Sequence, residues 1–324
     1  MIMAPTQENV VSAGAILRSG GIVGMPTETV YGLAARYDDD GAVRKIFEAK
    51  GRPADNPLIV HVASVEQAKT MVKAELHVLM ELLAAHLWPG PFTMVLDKAD
   101  HVSDLVSAGL PTVAVRMPNH PVALRLIEEC GSPVAAPSAN TSGTPSPTTA
   151  EHVIEDLGMD VFILDGGSCL IGIESTVALV TADGLTILRP GVVTAETLAQ
   201  ITGLPVSSNA NADQRIASPG TRYRHYAPRT PMKLVETAGE VRSALAMVEQ
   251  KVMVLARTDV WPEFPGLLMG SLTEHDLYAE LRRADDLHVA CIVVLCDGVL
   301  KGQLALMNRL RKAAGEDNDE EAGT

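Results

Sequence analysis

The chain has 324 residues, 47% apolar and 20% charged, with 26 Lys+Arg against 40 Asp+Glu for a formal net charge of −14. That length has room for roughly two domains. The composition excludes wholesale disorder and collagen-like or coiled-coil repeats, and the acidity excludes a global field that would gather nucleic-acid phosphates, so any nucleotide site must be built locally. Four scattered cysteines, Cys130, Cys169, Cys291 and Cys296, make neither a disulfide framework nor paired zinc knuckles and fit a reducing cytoplasm. Residues 1–10 lack a secretory signal pattern, and no apolar run approaches the ~18 residues of a membrane helix.

From Gly21 to Gly203, apolar strand-like runs alternate with amphipathic helix-like ones, the pattern of an α/β domain. Strands are expected at 22–25, 58–62, 92–96, 113–117, 133–137, 161–164, 176–180 and 186–188. Asp183-Gly184 between the last two is a hairpin signal, so the sheet is expected to be mixed parallel and antiparallel. Ser64 with Gln67 and Thr148 with Glu151 each fit a helix capping box. Periodicity stops over 206–229, where small polar residues mark a linker. Beyond it, strands expected at 232–235, 252–256 and 292–295 alternate with helices at 240–250, 276–283 and 300–311, a small parallel βαβ domain. Residues 315–324 form an acidic tail. The expected organisation is a domain over 1–205, a linker over 206–229, a second domain over 230–314 and the tail.

Neither G-x-x-x-x-G-K-[ST] nor a G-x-G-x-x-G after a strand occurs, so a phosphate site needs another construction. Pro137-Ser138-Ala139-Asn140-Thr141-Ser142-Gly143 can aim backbone N–H groups and hydroxyls at an anion, although an ordinary strand-to-helix loop has the same composition. Lys50-Gly51-Arg52-Pro53-Ala54-Asp55-Asn56-Pro57 puts two cations on an irregular, exposed turn, where Lys50 could equally cap a helix by dipole attraction and Arg52 lie solvated. Arg116 interrupts the apolar run Val113-Ala114-Val115, and Arg189 closes Thr186-Ile187-Leu188. A guanidinium at a strand end suits bidentate capture of a carboxylate or phosphate, while either could simply face outward. Thr27, in a turn after the first of these strands, is a natural polar contact or an N-cap. His61 in Leu58-Ile59-Val60-His61-Val62 reads first as a hydrogen-bonded core histidine, and no metal-ligand spacing accompanies it. Without a nucleophile elbow, catalysis by positioning and charge stabilisation leads. Residues 218–228 hold two of the five tyrosines and several cations, suggesting a lid, or else a strap packed on the domain seam.

These stretches together resemble the YrdC-like threonylcarbamoyl-AMP synthases in their long, two-domain form. The resemblance rests on Pro26-Thr27-Glu28-Thr29-Val30-Tyr31-Gly32, Lys50-Gly51-Arg52-Pro53 with Asn56-Pro57-Leu58, Trp88-Pro89-Gly90-Pro91-Phe92-Thr93, Val115-Arg116-Met117-Pro118, Ala136-Pro137-Ser138-Ala139-Asn140, Glu174-Ser175-Thr176-Val177 and Arg189-Pro190-Gly191, with Ser218-Pro219-Gly220 and His225-Tyr226-Ala227-Pro228 for the linker. It implies an α/β fold with a twisted mixed sheet and helices, followed by a smaller Rossmann-like C-terminal domain. It further implies that L-threonine, bicarbonate and ATP, with Mg²⁺, give threonylcarbamoyl-AMP and pyrophosphate, and that a separate transferase then modifies tRNA. By position, the resemblance assigns Thr27, His61, Arg116, Ala136 and Ser175 to threonine. It assigns Lys50, Arg52, Asn56, Thr112, Ser138, Asn140, Ser146, Arg189 and Tyr226 to the nucleotide, with Lys50 and Arg52 as the catalytic pair. Competing readings are an RNA-binding, translation-associated factor, which the net charge disfavours, and a relative that uses carbamoyl phosphate.

Overall fold

The computed structural model describes residues 1–208, 210, 211, 214 and 225–316. Most of the expected lid, 218–224, and the acidic residues from Asp317 onward lie outside the described residues. The chain divides into two compact units, Met1–Ser142 with Pro147–Arg222, and Gly143–Ser146 with Tyr223–Thr324.

The first unit is built on a mixed sheet of eleven strands, in the order β1-β8-β2-β3-β7-β4-β6-β5-β9-β10-β11. In chain order these are β1 (Ile2–Met3), β2 (Val23–Met25), β3 (Gly32–Arg36), β4 (Ile59–His61), β5 (Phe92–Asp97), β6 (Thr112–Arg116), β7 (Val134–Ala135), β8 (Phe162–Leu164), β9 (Thr176–Thr181), β10 (Gly184–Arg189) and β11 (Val206–Ser207). The Asp183-Gly184 signal holds: β9 and β10 form an antiparallel hairpin, while β4 with β6 and β5 with β9 run parallel. Because side chains alternate across a strand, the central strands offer two faces of different character. Val60, Met94, Leu96, Val113, Val115, Ala178 and Val180 enter the main core with Met71, Met80, Leu83 and Leu198 from the covering helices. The opposite face carries a smaller cluster, Ile59, Val95, Ala114, Val177 and Leu188, against which Leu179 and Ala210 pack.

Helix ends fix two segments that matter below. The helix Asp40–Lys50 is capped by Asp39, which accepts from Ala42 N, and stops at Gly51, whose φ of 58° is a left-handed conformation that glycine adopts without a Cβ penalty. Pro121 opens the helix Pro121–Cys130 behind His120, whose ring accepts from Val122 N.

Several sequence expectations need correction, among them strand β11 (Val206–Ser207), which lies within the expected linker. The helix Ala150–Leu157 is capped by Thr149, not Thr148, since the Thr149 hydroxyl accepts from His152 N. At the Ser64 cap, Gln67 closes the loop by accepting from Ala63 N rather than from the cap residue itself. Strand β3 was not foreseen, because Leu33-Ala34-Ala35 is short and alanine is a poor strand former. The single helix expected over 300–311 is two, Gly298–Lys301 and Leu304–Ala314, separated at Gly302 and Gln303.

The second unit holds an all-parallel sheet in the order β12-β15-β13-β14, formed by β12 (Met232–Val235), β13 (Val252–Ala256), β14 (Leu268–Ser271) and β15 (Cys291–Leu295). Strand β14 is an addition to the three expected. Val254, Ala256, Val293 and Leu295 meet Val235, Val241 and Ala244 in its core. Ser146 and Tyr226 both belong to this unit. Tyr226 is buried at φ 65°, with its ring 5.4 Å from that of Tyr278 and the Arg309 guanidinium 5.8 Å from its centroid.

Candidate active site

Strand register assembles a polar row on the sheet face opposite the main core. His61 on β4 is in register with Arg116 on β6. Thr93 on β5 pairs with Val177 on β9, which pairs with Arg189 on β10. Met94 opposite Val115 sets Thr93 beside Arg116 and closes the row across five neighbouring strands. Thr112 starts β6 four residues before Arg116 on the same face, roughly 13 Å away along the strand. Between them lies the apolar floor of Ile59, Val95 and Ala114.

The segment after β2 folds onto one end of this row. Arg116 donates from Nη1 to Thr29 Oγ1 at 2.9 Å and from Nε to the Gly90 carbonyl at 3.2 Å. Its Nη2 lies 2.7 Å from Glu28 Oε1, with both side chains only 4% exposed. Thr27 Oγ1 donates to the Val30 carbonyl at 2.6 Å and lies 2.9 Å from Thr29 Oγ1. Burial and the nearby Arg116 charge hold the His61 imidazole down to about 3, so it is neutral at physiological pH.

Toward the other end, Ser175 precedes β9, its Oγ 2.8 Å from Thr93 Oγ1. Arg189 donates to Ser175 twice, Nε to the carbonyl at 3.1 Å and Nη2 to Oγ at 3.2 Å. Gly191 packs so closely here that a Cβ would stand 2.4 Å from Thr176 N, which is why no side chain fits. The Thr176 N–H donates to the Pro91 carbonyl, next to the Gly90 that Arg116 holds, so Arg116 and Arg189 belong to one connected framework.

A third group gathers around Lys50. Its Nζ, only 1% exposed with its residue, donates to the carbonyls of Ser138 and Asn140. Desolvation, followed by the Arg52 charge, pushes its pKa well below the usual lysine value, with Asp156 opposing. Arg52 turns inward and donates to the Pro57 carbonyl at 2.9 Å and the Asn56 carbonyl at 3.3 Å. Asn56 is buried, and its Nδ2 finds no hydrogen-bond partner among the described residues. This loop was expected to be exposed. Gly51 and residues 53–55 are, but Lys50, Arg52 and Asn56 are not. The Ser138 loop leans on the segment after β2, through an antiparallel bridge from Gly32 to Ser138 and a bond from Ala139 N to the Tyr31 carbonyl. Ala136 is buried beside β4, donating to the Ile59 carbonyl at 3.0 Å.

The first unit therefore brings together Thr27, His61, Arg116, Ser175 and Arg189 on one framework and Lys50, Arg52, Asn56, Ser138 and Asn140 in a second group beside it. Glu28, Thr29 and Thr93 were missed as individuals. Each lies in a quoted motif, and a carboxylate between two threonines just after a buried strand was the available signal.

A family model described as "Telomere recombination", for the Sua5, YciO and YrdC proteins, matches residues 15–191. The chain belongs to this family. A second model, described as "Threonylcarbamoyl-AMP synthase, C-terminal domain", matches residues 193–315. The family found is the one that the motifs resembled, in its two-domain form. The threonylcarbamoyl-AMP synthase of Pyrococcus abyssi is 44% identical, over 94% of this chain and 93% of its own length. That of Bacillus subtilis is 40% identical, over 97% and 95%. Among solved structures, P. abyssi Sua5 complexed with L-threonine superposes with a TM-score of 0.85 at 39% identity, covering 97% of this chain and 98% of that one.

One consequence concerns pH. The folded state holds His61 neutral down to about 3, whereas the unfolded chain protonates it near 6.5. Below 6.5 the unfolded state binds a proton that the folded state refuses, so stability falls as pH drops from 6.5 toward 3. Denaturant titrations between pH 4 and 7 should show this decline flattened in His61→Gln.

Proposed function

We propose that the chain is an L-threonylcarbamoyladenylate synthase that condenses L-threonine, bicarbonate and ATP into threonylcarbamoyl-AMP and pyrophosphate. The observation that carries this reading is the connected row from Arg116 to Arg189. The backbone positions of Arg116 on β6 and Arg189 on β10 lie three strand spacings apart, on the order of 14 Å, on the face that carries the apolar floor. Such a span can seat an amino-acid carboxylate at one end and nucleotide phosphates at the other. The relatives named threonylcarbamoyl-AMP synthase and the threonine complex of P. abyssi Sua5 support it.

In this reading Arg116 receives the threonine carboxylate, with Thr27, His61, Ala136 and Ser175 around the amino acid. Threonine carbamate then attacks the α-phosphorus in line with departing pyrophosphate. The protein's part is to align two anions and to neutralise the charge that grows on the phosphoryl oxygens. Lys50 and Arg52 supply that charge, with Asn56, Thr112, Ser138, Asn140 and Arg189 about the nucleotide. Ser146 and Tyr226 carry the same assignment from the second unit. The nucleotide would arrive as its Mg²⁺ complex. Among the described residues no three His, Cys, Asp or Glu converge on a metal, and phosphate oxygens with water can fill an octahedral shell.

The product is a mixed anhydride, labile in water, so a second enzyme must consume it. We assign that step to a transferase acting on tRNA, in the cytoplasm. No helix among the described residues is long and apolar enough to cross a membrane. Pyrophosphate release that requires both threonine and bicarbonate, with a product of threonylcarbamoyl-AMP mass, is the expected result. Release independent of either would overturn the assignment, and turnover of carbamoyl phosphate without ATP would replace it.

A further inference from the structure

Four residues, Gly143-Thr144-Pro145-Ser146, belong to the second unit although the stretches on both sides of them belong to the first. Before them Ser142 N donates to the Lys50 carbonyl at 2.9 Å, and after them the Pro147 carbonyl accepts from Tyr31 N at 2.9 Å. Between these anchors the segment is held by residues of its own unit. Ala227 N donates to the carbonyl of Gly143, whose φ is 96°, at 2.8 Å. Arg282 Nη2 donates to the Pro145 carbonyl at 2.5 Å. Arg282 is only 8% exposed, and Pro145 and Ser146 are buried. The helix Leu277–Asp286 carries Arg282 on one face with Tyr278 and Asp285, at i, i+4 and i+7 spacing. Tyr278 lies against the Tyr226 ring, and Asp285 accepts from Arg229 N and Thr230 N at 2.9 and 2.8 Å. One helix face therefore holds the 226–230 segment and, through Arg282, the four-residue excursion.

Ser146 stands between Pro145 and Pro147, and a proline fixes its own φ and pushes the residue before it toward extended backbone. What this sequence leaves open is rotation of the planar Pro145–Ser146 peptide. In a trans peptide the carbonyl and the following N–H point in opposite directions. A donor that fixes the Pro145 oxygen thus also fixes where Ser146 N–H points. A guanidinium suits that task, because a charge-assisted bond is stronger than a neutral one. We infer that Arg282 is a positioning residue for the nucleotide, directing Ser146 through the Pro145 peptide. The inference rests on Ser146 meeting the nucleotide, as the reading above assigns it. The second unit then acts on ATP use by way of the chain itself, since the four residues continue the Ser138 loop.

The test is calorimetric titration of the full chain with Mg²⁺-ATP and, separately, with L-threonine. Arg282→Ala withdraws a charged donor from a buried carbonyl and is expected to weaken ATP about tenfold, with threonine affinity kept within about twofold. Arg282→Lys keeps a charged donor and should recover part of that loss. Ser146→Ala should weaken ATP by a similar factor, and the double variant should fall well short of the product of the two single losses, because both act at one place. A double loss equal to that product overturns the proposal. So does parallel weakening of ATP and threonine, the mark of a merely structural role, and so does ATP binding in Arg282→Ala within about twofold of the wild type. Should Arg282→Ala fail to fold, Arg282→Gln, which keeps a neutral donor, takes its place in the cycle under the same criteria. Unchanged ATP affinity in Ser146→Ala takes Ser146 away from the nucleotide and the inference with it, while the threonine- and bicarbonate-dependent release of pyrophosphate decides the functional reading separately. A wild type that binds no ATP sinks that reading itself.

Discussion

Arg116→Ala is expected to lose threonine use while keeping ATP binding within about threefold. Truncating one partner of a desolvated, charge-assisted contact costs about 3–5 kcal/mol, a factor of roughly 10² to 10³ in affinity. Arg116 is nearly fully buried, so solvent cannot stand in for the missing guanidinium. The threonine KM should rise by that factor, or become unmeasurable, while nucleotide affinity, which the proposed reading assigns to Lys50 and Arg52, should stay unchanged. Stability falls as well, because Glu28 is left buried beside an empty position, and Tm should drop on the order of ten degrees. Two readouts separate these effects. Adding Glu28→Gln to Arg116→Ala removes the orphaned charge and should return much of the lost Tm without restoring threonine use. Arg116→Lys keeps a charge but not the fork that serves Thr29, Gly90 and Glu28 at once, so it should recover only part of the affinity. Equal losses toward threonine and ATP would refute the carboxylate role.

How far the sequence foretold this site depends on the distance over which each contact acts. Strand β6 and the oddity of Arg116 within it were visible, because a charge in an apolar alternation is a local anomaly. Where Arg116 would point was not. That follows from the register of β6 with β4 and β5, which brings together residues from three distant stretches. Lys50 shows the same limit from the other side. At a helix C-terminus, a lysine reads naturally as a dipole partner in solvent. Its burial comes from carbonyls 88 and 90 residues further on, which no local pattern reveals. Glu28 hid because a carboxylate flanked by threonines looks like turn chemistry. Thr148 was mistaken for the cap because two adjacent threonines satisfy the same motif, and only geometry chooses between them. The resemblance by motif supplied what periodicity could not, since it names positions without needing their register.

The division between amino-acid and nucleotide residues is less sharp in the structure than in the motifs. Ser175, assigned to threonine, accepts from Arg189, assigned to the nucleotide, and lies within hydrogen-bond distance of Thr93. Reaction brings these two substrates together at one phosphorus atom, so a shared framework at their meeting point is what the chemistry requires. On the proposed assignments, changes at Ser175 should lower turnover as well as threonine affinity.

Lys50→Met should lower turnover by about 10² to 10³, the range for removing one preorganised charge from a developing oxyanion, with threonine binding little changed. The sharper expectation concerns protons. Lys50 is desolvated and held by carbonyls, so burial, with the Arg52 charge, lowers its pKa well below that of a free lysine. Between that lowered pKa and 10.5, the unfolded chain carries a proton that the folded chain lacks, so the wild type gains stability as pH rises through this window. Lys50→Met should abolish the gain, and denaturant midpoints against pH would show it. ATP reverses the balance. Its phosphates restore the charged form, so nucleotide binding in that window should take up as much as one proton, and affinity should weaken as pH rises. Calorimetry in two buffers of different ionisation enthalpy measures this uptake directly. Uptake in the wild type and none in Lys50→Met places the lysine against the phosphates. Identical uptake in both proteins, or turnover within tenfold of wild type, would remove Lys50 from the reacting centre and leave Arg52 as the charge that matters there.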